Sequence, residues 1–335
     1  HSADAEAAAA KIAETIEGYI GSDGETYAGA VAKSLVLAVA LGQDPTDVGG
    51  VDLIATLQGL EQTSGETGRF SDVSEYGDYS NTLVQSFAII GLEGAGVGAS
   101  QSAIDHLVSV QCPDGGFALT AGGATCVSDP DATALAVQAL LAANCATDAP
   151  LAEALGYLRG IQADNGGFGG GATTEGVNAN STGLIGATLA TAGLEEADAA
   201  VAYLTTMQYG DDLPEALRGG FAYDATVLAA RTAAGAEAVV IDQDRRTTVQ
   251  ATLGLAGISY ADLVSGATNA PERTCESAGT APQPTPPPVA GPVIETDIVT
   301  APSRALVPLV ATLLALALLA GGGVAVAARG RGARQ

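Results

Sequence analysis

The 335-residue chain sets 38 acidic residues against 13 basic ones, a formal charge of −25, with no Trp and only His1 and His106 as histidines. Phosphate recognition needs clustered Lys and Arg, and Lys11 and Lys33 are the only lysines, so a nucleic-acid partner is excluded. Two histidines cannot furnish a multi-His metal centre, and no G-x-S-x-G elbow accompanies His106. Neither a metal nor a cofactor is expected.

In chain order, the first elements are an amphipathic helix over 5–20 and an apolar one over 28–41. A pattern then repeats. Gly68-Arg69-Phe70, preceded by Gln58 or Gln62, is a weak first copy. Gln111 leads to Gly115-Gly116-Phe117, Gln162 to Gly166-Gly167-Phe168, and Gln208, across an insertion, to Gly219-Gly220-Phe221. These glutamines are 51 and 46 residues apart. Before them run amphipathic stretches: Ile104, Leu107, Val108 and Gln111 share a face, as do Leu151, Leu155, Leu158 and Ile161. After each Gly-Phe turn comes a helix that is apolar or small on every side, over 82–90, 132–143, 182–192 and 247–256. Helices without a polar face must be buried. The alternation predicts an all-α double ring of about five helical hairpins, with repeats of roughly 50 residues.

Every apolar helix after the first opens on a polar run: Asp78 and Ser80, Asp129 and Asp131, Asn178 and Asn180, Asp242 and Asp244. Such side chains cap the free N–H groups of a helix start, at about 1 kcal/mol each. In a ring of hairpins these starts meet at one mouth, so the same residues are candidate ligand-binding groups around a central cavity.

Cys112, Cys126, Cys145 and Cys275 fit two disulfides in an oxidising compartment. A local Cys112–Cys126 bridge and a Cys145–Cys275 tether are the expected pairing, out of three that four cysteines allow. The start at His1 is read as a mature form whose signal peptide has been removed. The hairpin domain is expected to span 1–268, followed by a Pro-rich stalk over 269–304 containing GTAPQPTPPPVAGP. Residues 305–328 lack any charge and are long enough to cross a bilayer. Arg329, Arg331 and Arg334 follow in a short tail, 329–335, which the positive-inside rule assigns to the cytoplasm. The expected localisation is thus a cell membrane, single-pass, with the N-terminal domain outside.

The Q-x4-G-G-F turn followed by D-x-D-A-T-A-x-A-x-Q-A-L, starting at Asp129, resembles the prenyltransferase and squalene-oxidase repeat family. The resemblance covers roughly 5–260 and implies the α/α toroid fold shared by class II terpene cyclases, protein prenyltransferase β subunits and the α domain of cobalamin carriers. In the cyclases a D-x-D-D motif supplies the proton from its middle Asp. Here the motif falls on Asp129, Pro130, Asp131 and Ala132, so its last carboxyl is missing. Phe117, Phe168 and Phe221 stand where the repeat has Trp, and cation chemistry lacks its aromatic lining. Asp129 and Asp131 are the nearest catalytic candidates, and none is assigned. The zinc set of prenyltransferases is unmatched, and residues 258–300 are too short for the second domain of a cobalamin carrier. The sequence therefore predicts a membrane-anchored surface toroid that binds an apolar small molecule, a corrinoid or an envelope partner without catalysis. The alternative is a cyclase-like or prenyltransferase-like enzyme with a degenerate acid motif.

Overall fold

Ala, Leu and Val fill the inner helices because each must pack against neighbours on all sides, and small residues let backbones approach closely. In the computed structural model, which describes residues 3–122, 125–145 and 149–265, these helices are α2 (Ala28–Ala40), α4 (Thr82–Gly94), α6 (Pro130–Ala142), α8 (Ala179–Thr191) and α11 (Asp242–Ala256). Outer partners are α1 (Ala3–Ile20), α3 (Leu53–Gly59), α5 (Gln101–Ser109), α7 (Ala149–Gly160) and α9 (Glu196–Met207). The described residues contain no strands beyond isolated bridges. Two further helices, α10 (Ala225–Ala234) and α12 (Tyr260–Val264), were not foreseen in the sequence.

Consecutive inner helices pack side by side, α2 on α4, α4 on α6, α6 on α8 and α8 on α11. α6 and α8 run parallel and in register. Ser181 Oγ donates to Asp131 Oδ2 at 3.2 Å near the starts of α8 and α6, and Gln138 Nε2 donates to Thr188 Oγ1 at 2.8 Å two turns on. At the α8–α11 seam, Gly183 and Gly254 face each other so closely that a Cβ on Gly254 would lie 2.6 Å from the Cα of Gly183.

No extended contact joins α11 back to α2. Instead α12 lies across α2, α4 and α6. Tyr260 is 4% exposed, meets Phe87 edge-on at 5.1 Å, and its backbone N–H donates to Gln138 Oε1 at 2.9 Å. Val264 packs against Gly94. The chain's own segment therefore covers part of α2, α4 and α6.

Cys112 and Cys126 form the expected disulfide. Cys145 is also disulfide-bonded, and its expected partner Cys275 lies outside the described residues. The stalk, the 305–328 segment and the basic tail lie outside them as well. Among the described residues no helix is long and apolar enough to cross a membrane.

Candidate functional site

The repeated turn explains its own sequence. Gly115 has φ +90°, a region favouring glycine, and a Cβ there would lie 2.6 Å from the carbonyl oxygen of Glu153 on the next outer helix. Gly166 is held likewise against Ala199 O, at φ +83°. The side-chain amide of Gln111 donates to Gly115 O at 2.9 Å and to Pro150 O at 2.8 Å, so it ties the turn to the first turn of α7. Gln162 repeats this with Gly166 O and Glu196 O, both at 2.9 Å. Phe117, Phe168 and Phe221 are fully buried, and their backbone N–H groups donate to Thr133, Thr182 and Thr248 Oγ1 at 2.8, 2.8 and 3.0 Å. Threonines in the first two turns of α6, α8 and α11 thus close these three turns.

The weak first copy departs from the expectation of Gln58 or Gln62. Glu61 pairs with Phe70 as Gln111 pairs with Phe117, and a carboxylate cannot donate to carbonyls. Gln85, in the position equivalent to Thr133, takes both tasks. Its Oε1 accepts from Phe70 N at 3.0 Å, while its Nε2 donates to Gly68 O and Ala103 O, each at 2.9 Å.

The polar helix starts are put to different uses. Asp78 Oδ2 pairs with Arg69 at 2.9 Å, and its Oδ1 accepts from Ser80 N and Oγ at 2.9 and 2.6 Å. Asp129 caps α6 through Ala132 N at 2.9 Å, and Asn178 caps α8 through Ser181 N at 2.9 Å. Asp242 forms an exposed i,i+4 pair with Arg246. Asp244 turns inward, 3% exposed, to accept from Tyr209 Oη at 2.7 Å and Arg231 Nη2 at 3.1 Å. Arg231 stands on α10, between the Gly-Phe turn and α11, a helix with no counterpart before α6 or α8 among the described residues. Among the described residues, the Ser181 Oγ–Asp131 Oδ2 hydrogen bond joins the starts of α8 and α6.

At that junction the loop Gly169–Gly170–Gly171 lies over the carboxylates. The Asp131 residue is partly exposed, but its Oδ1 is out of contact with solvent and has no hydrogen-bond partner. Desolvation, then the charge of Asp129, push the Asp131 carboxyl up to about 6 from 3.8, against the pull of the Ser181 hydrogen bond. A folded-state value above the unfolded one binds an extra proton in the fold, so stability falls as pH rises through this window. At about 1.4 kcal/mol per unit the fall is about 3 kcal/mol. Asp131→Asn should remove it: urea unfolding at pH 7.5 should find the variant about 2–3 kcal/mol more stable, and at pH 4 within about 1 kcal/mol of the parent. A variant less stable at pH 7.5 would contradict this.

Two open clefts lie elsewhere, at equivalent places in consecutive repeats. One, of about 500 Å³, is lined by Asp114, Gly115, Glu153, Gly156, Tyr157 and Gly160. The other, of about 550 Å³, is lined by Asn165, Val177, Tyr203, Thr206, Met207 and Asp224 among others. Burial pushes the Tyr157 and Tyr203 phenols up to about 12, with help from Asp114 and Asp129 for Tyr157 and from Asp224 and Tyr223 for Tyr203. The reading for polar helix starts missed these clefts. Their signal was present: each tyrosine stands five residues before the glutamine of its repeat.

No family model matches the chain, and no curated protein matches it in sequence. Among solved structures it is similar to a variant of type II terpene cyclase MstE from Scytonema in complex with its substrate geranylgeranyl dihydroxybenzoate, with 14% identity, a TM-score of 0.50, and coverage of 78% of this chain and 75% of that one. It is similar to Candida albicans protein geranylgeranyltransferase-I complexed with GGPP at 14% identity and a TM-score of 0.45, over 70% of this chain and 66% of that one, just under two thirds of its length. Rex8A from Paenibacillus barcinonensis, complexed with xylose, has 10% identity and a TM-score of 0.43, over 78% and 85%. Identities this low establish architecture alone. The described residues form a helical fold that resembles the α/α toroid.

Proposed function

We propose that this chain is a surface toroid, anchored by residues 305–328, that binds an envelope partner without turning it over. The observation that carries this reading is where open space lies. An isoprenoid or a corrinoid needs an enclosed cavity that covers most of its surface. Here α12 packs across α2, α4 and α6, while the two open clefts lie at equivalent places in consecutive repeats and mix Tyr with Asp, Asn, Glu and Thr. Such clefts suit a polar, extended partner that crosses more than one repeat.

Blocking substitutions test this. Gly156 has nothing within 4 Å of a built Cβ, and Thr206 is exposed, so Gly156→Arg and Thr206→Arg should fill the clefts without disturbing the core. Each should weaken sedimentation of the purified chain with cell-envelope preparations at least tenfold, about 1.4 kcal/mol. Unchanged binding in both would remove the clefts as the site. Protease treatment of intact cells should release the 1–268 domain by cutting within the Pro-rich stretch; a protected domain would place it inside the cell.

One observation favours the enzymatic alternative. Asp131, the residue aligned with the cyclase proton donor, has its carboxyl pushed up to about 6 by burial. Against it stand Ala132 in place of the partner carboxyl and the glycine loop covering the pair.

A further inference from the structure

The two clefts occupy one place in the repeat, and the first copy fills that place with a side chain of its own. In each copy the first glycine of the turn lies against a carbonyl of the next outer helix: Gly68 against Ser102, Gly115 against Glu153, Gly166 against Ala199. Four residues beyond those carbonyls stand His106, Tyr157 and Tyr203. The second glycine of the turn faces the ring, since a Cβ on Gly116 or Gly167 would lie 3.1 Å from Tyr157 or Tyr203. In the first copy that residue is Arg69. Its guanidinium pairs with Glu66 at 2.5 Å and Asp78 at 2.9 Å, and donates to Ser80 O and Oγ, each at 3.1 Å. Ser80 precedes the cap of α4 as Val177, which lines the larger cleft, precedes the cap of α8. Burial holds the His106 imidazole below its usual range, while the nearby Glu66 and Arg69 act on its charge in opposite directions. The first slot thus holds a cation between carboxylates and a ring. The other two keep carboxylate and ring without the cation. Asp114 and Glu153 line the smaller cleft and Asp224 the larger, and no Lys or Arg lines either. Among the described residues, the ion pairs formed by Arg and Lys involve none of these three acids.

We propose that the clefts beside Tyr157 and Tyr203 are docking slots for the arginine or lysine side chains of an extended basic segment of a partner protein. The inference rests on the reading of the clefts as the site of an envelope partner, and it names that partner's chemistry. A guanidinium over a phenol ring gains cation–π attraction, and a carboxylate at the edge of the slot takes it in charge-assisted hydrogen bonds. Arg69 shows, in the first copy, which group such a slot accepts. The formal charge of −25 steers a basic segment toward the surface. Slots in consecutive repeats engage one segment twice, the second contact forming at the effective concentration that the first sets. A neutral glycan would stack on the tyrosines but gain nothing from the charge.

The test is fluorescence anisotropy of the purified full chain with a labelled peptide of alternating Arg and Gly, at pH 7.5 and physiological salt. Saturable binding is expected, and it should weaken at least tenfold in the triple variant Asp114→Asn, Glu153→Gln, Asp224→Asn. Asn keeps the cap that Asp224 gives α10, so the far-ultraviolet circular dichroism should stay that of the parent. An acidic chain attracts any polycation, so the control removes as many charges from exposed positions of α1, which packs on α2: Asp4→Asn, Glu6→Gln, Glu17→Gln. Exposed charges remote from the slots are screened at this salt, and the control should bind within about twofold of the parent. Peptide binding that is absent, or that falls equally in both variants, overturns the proposal. Saturable binding of a neutral dextrin by a chain that ignores the peptide also overturns it and makes the occupant a glycan. The sedimentation assay keeps the two readings apart. Envelope binding lost in Gly156→Arg and Thr206→Arg, with no uptake of the peptide, rejects the basic partner alone; envelope binding unchanged in both rejects the clefts themselves.

Discussion

Replacing Gln85 by Ala is expected to cost about 4 kcal/mol, because three buried backbone groups lose their partners at about 1–3 kcal/mol each, some of it recovered by entering water. Those groups are Phe70 N–H and the carbonyls of Gly68 and Ala103. Gln85 is 3% exposed, so nothing at the surface can substitute for it. The repeat provides the control. Gln85→Thr should return the acceptor that Thr133, Thr182 and Thr248 supply to the other turns, and Glu61→Gln should return the donor that Gln111 supplies. The double variant rewrites the first copy in the language of the second and third. It should regain at least half of the loss seen in Gln85→Ala, measured by urea unfolding. A double variant no more stable than Gln85→Ala would show that the first turn is not built like the others.

Gly254→Ala is expected to destabilise by about 2 kcal/mol or more. Its Cβ would meet Gly183 Cα and O at 2.6 Å and Leu204 Cδ1 at 2.8 Å. Two of these atoms are backbone, so α8 and α11 must separate along their whole seam. Overpacking costs about 1–3 kcal/mol, and more where backbone has to move. Higher helix propensity returns about 1 kcal/mol at most. Gly156→Ala, on an outer helix with open space around it, is the matched control and should stabilise by up to about 1 kcal/mol through propensity alone. A neutral Gly254→Ala would mean that this seam can relax.

What the sequence made legible is the part that repeats. The Gln–Gly–Phe turns, the apolar inner helices and the Asp129 and Asn178 caps all follow from local chemistry seen several times over. The first copy was misplaced because Glu61 and Gln85 exchange roles across 24 residues, and no local pattern links them. α12 was invisible because five residues carry no helical period; its place is set by Phe87, Gln138 and Gly94, far away in sequence. Asp244 read as another cap, and it does accept from Ile241 N–H at 2.9 Å; what the sequence did not show is that it also turns inward to Tyr209 and to Arg231 on α10. At Asp131 the sequence showed the aligned acid, but not the glycine loop that closes over it or the orphaned oxygens of Asp131 and Asn180. Such features arise where two repeats touch, and a repeat read one copy at a time does not show them.

Binding and turnover separate most directly in a product assay. The purified chain would be incubated at pH 6 and pH 7.5 with squalene and with linear C15 to C40 prenyl substrates, and the extracts analysed for cyclic products by gas chromatography and mass spectrometry. With α12 packed across α2, α4 and α6 and Ala132 in place of the partner carboxyl, the expected result is recovery of the linear substrates unchanged. A cyclised product formed by the parent chain and lost in Asp131→Asn would contradict the binding-module reading and make Asp131 a catalytic acid.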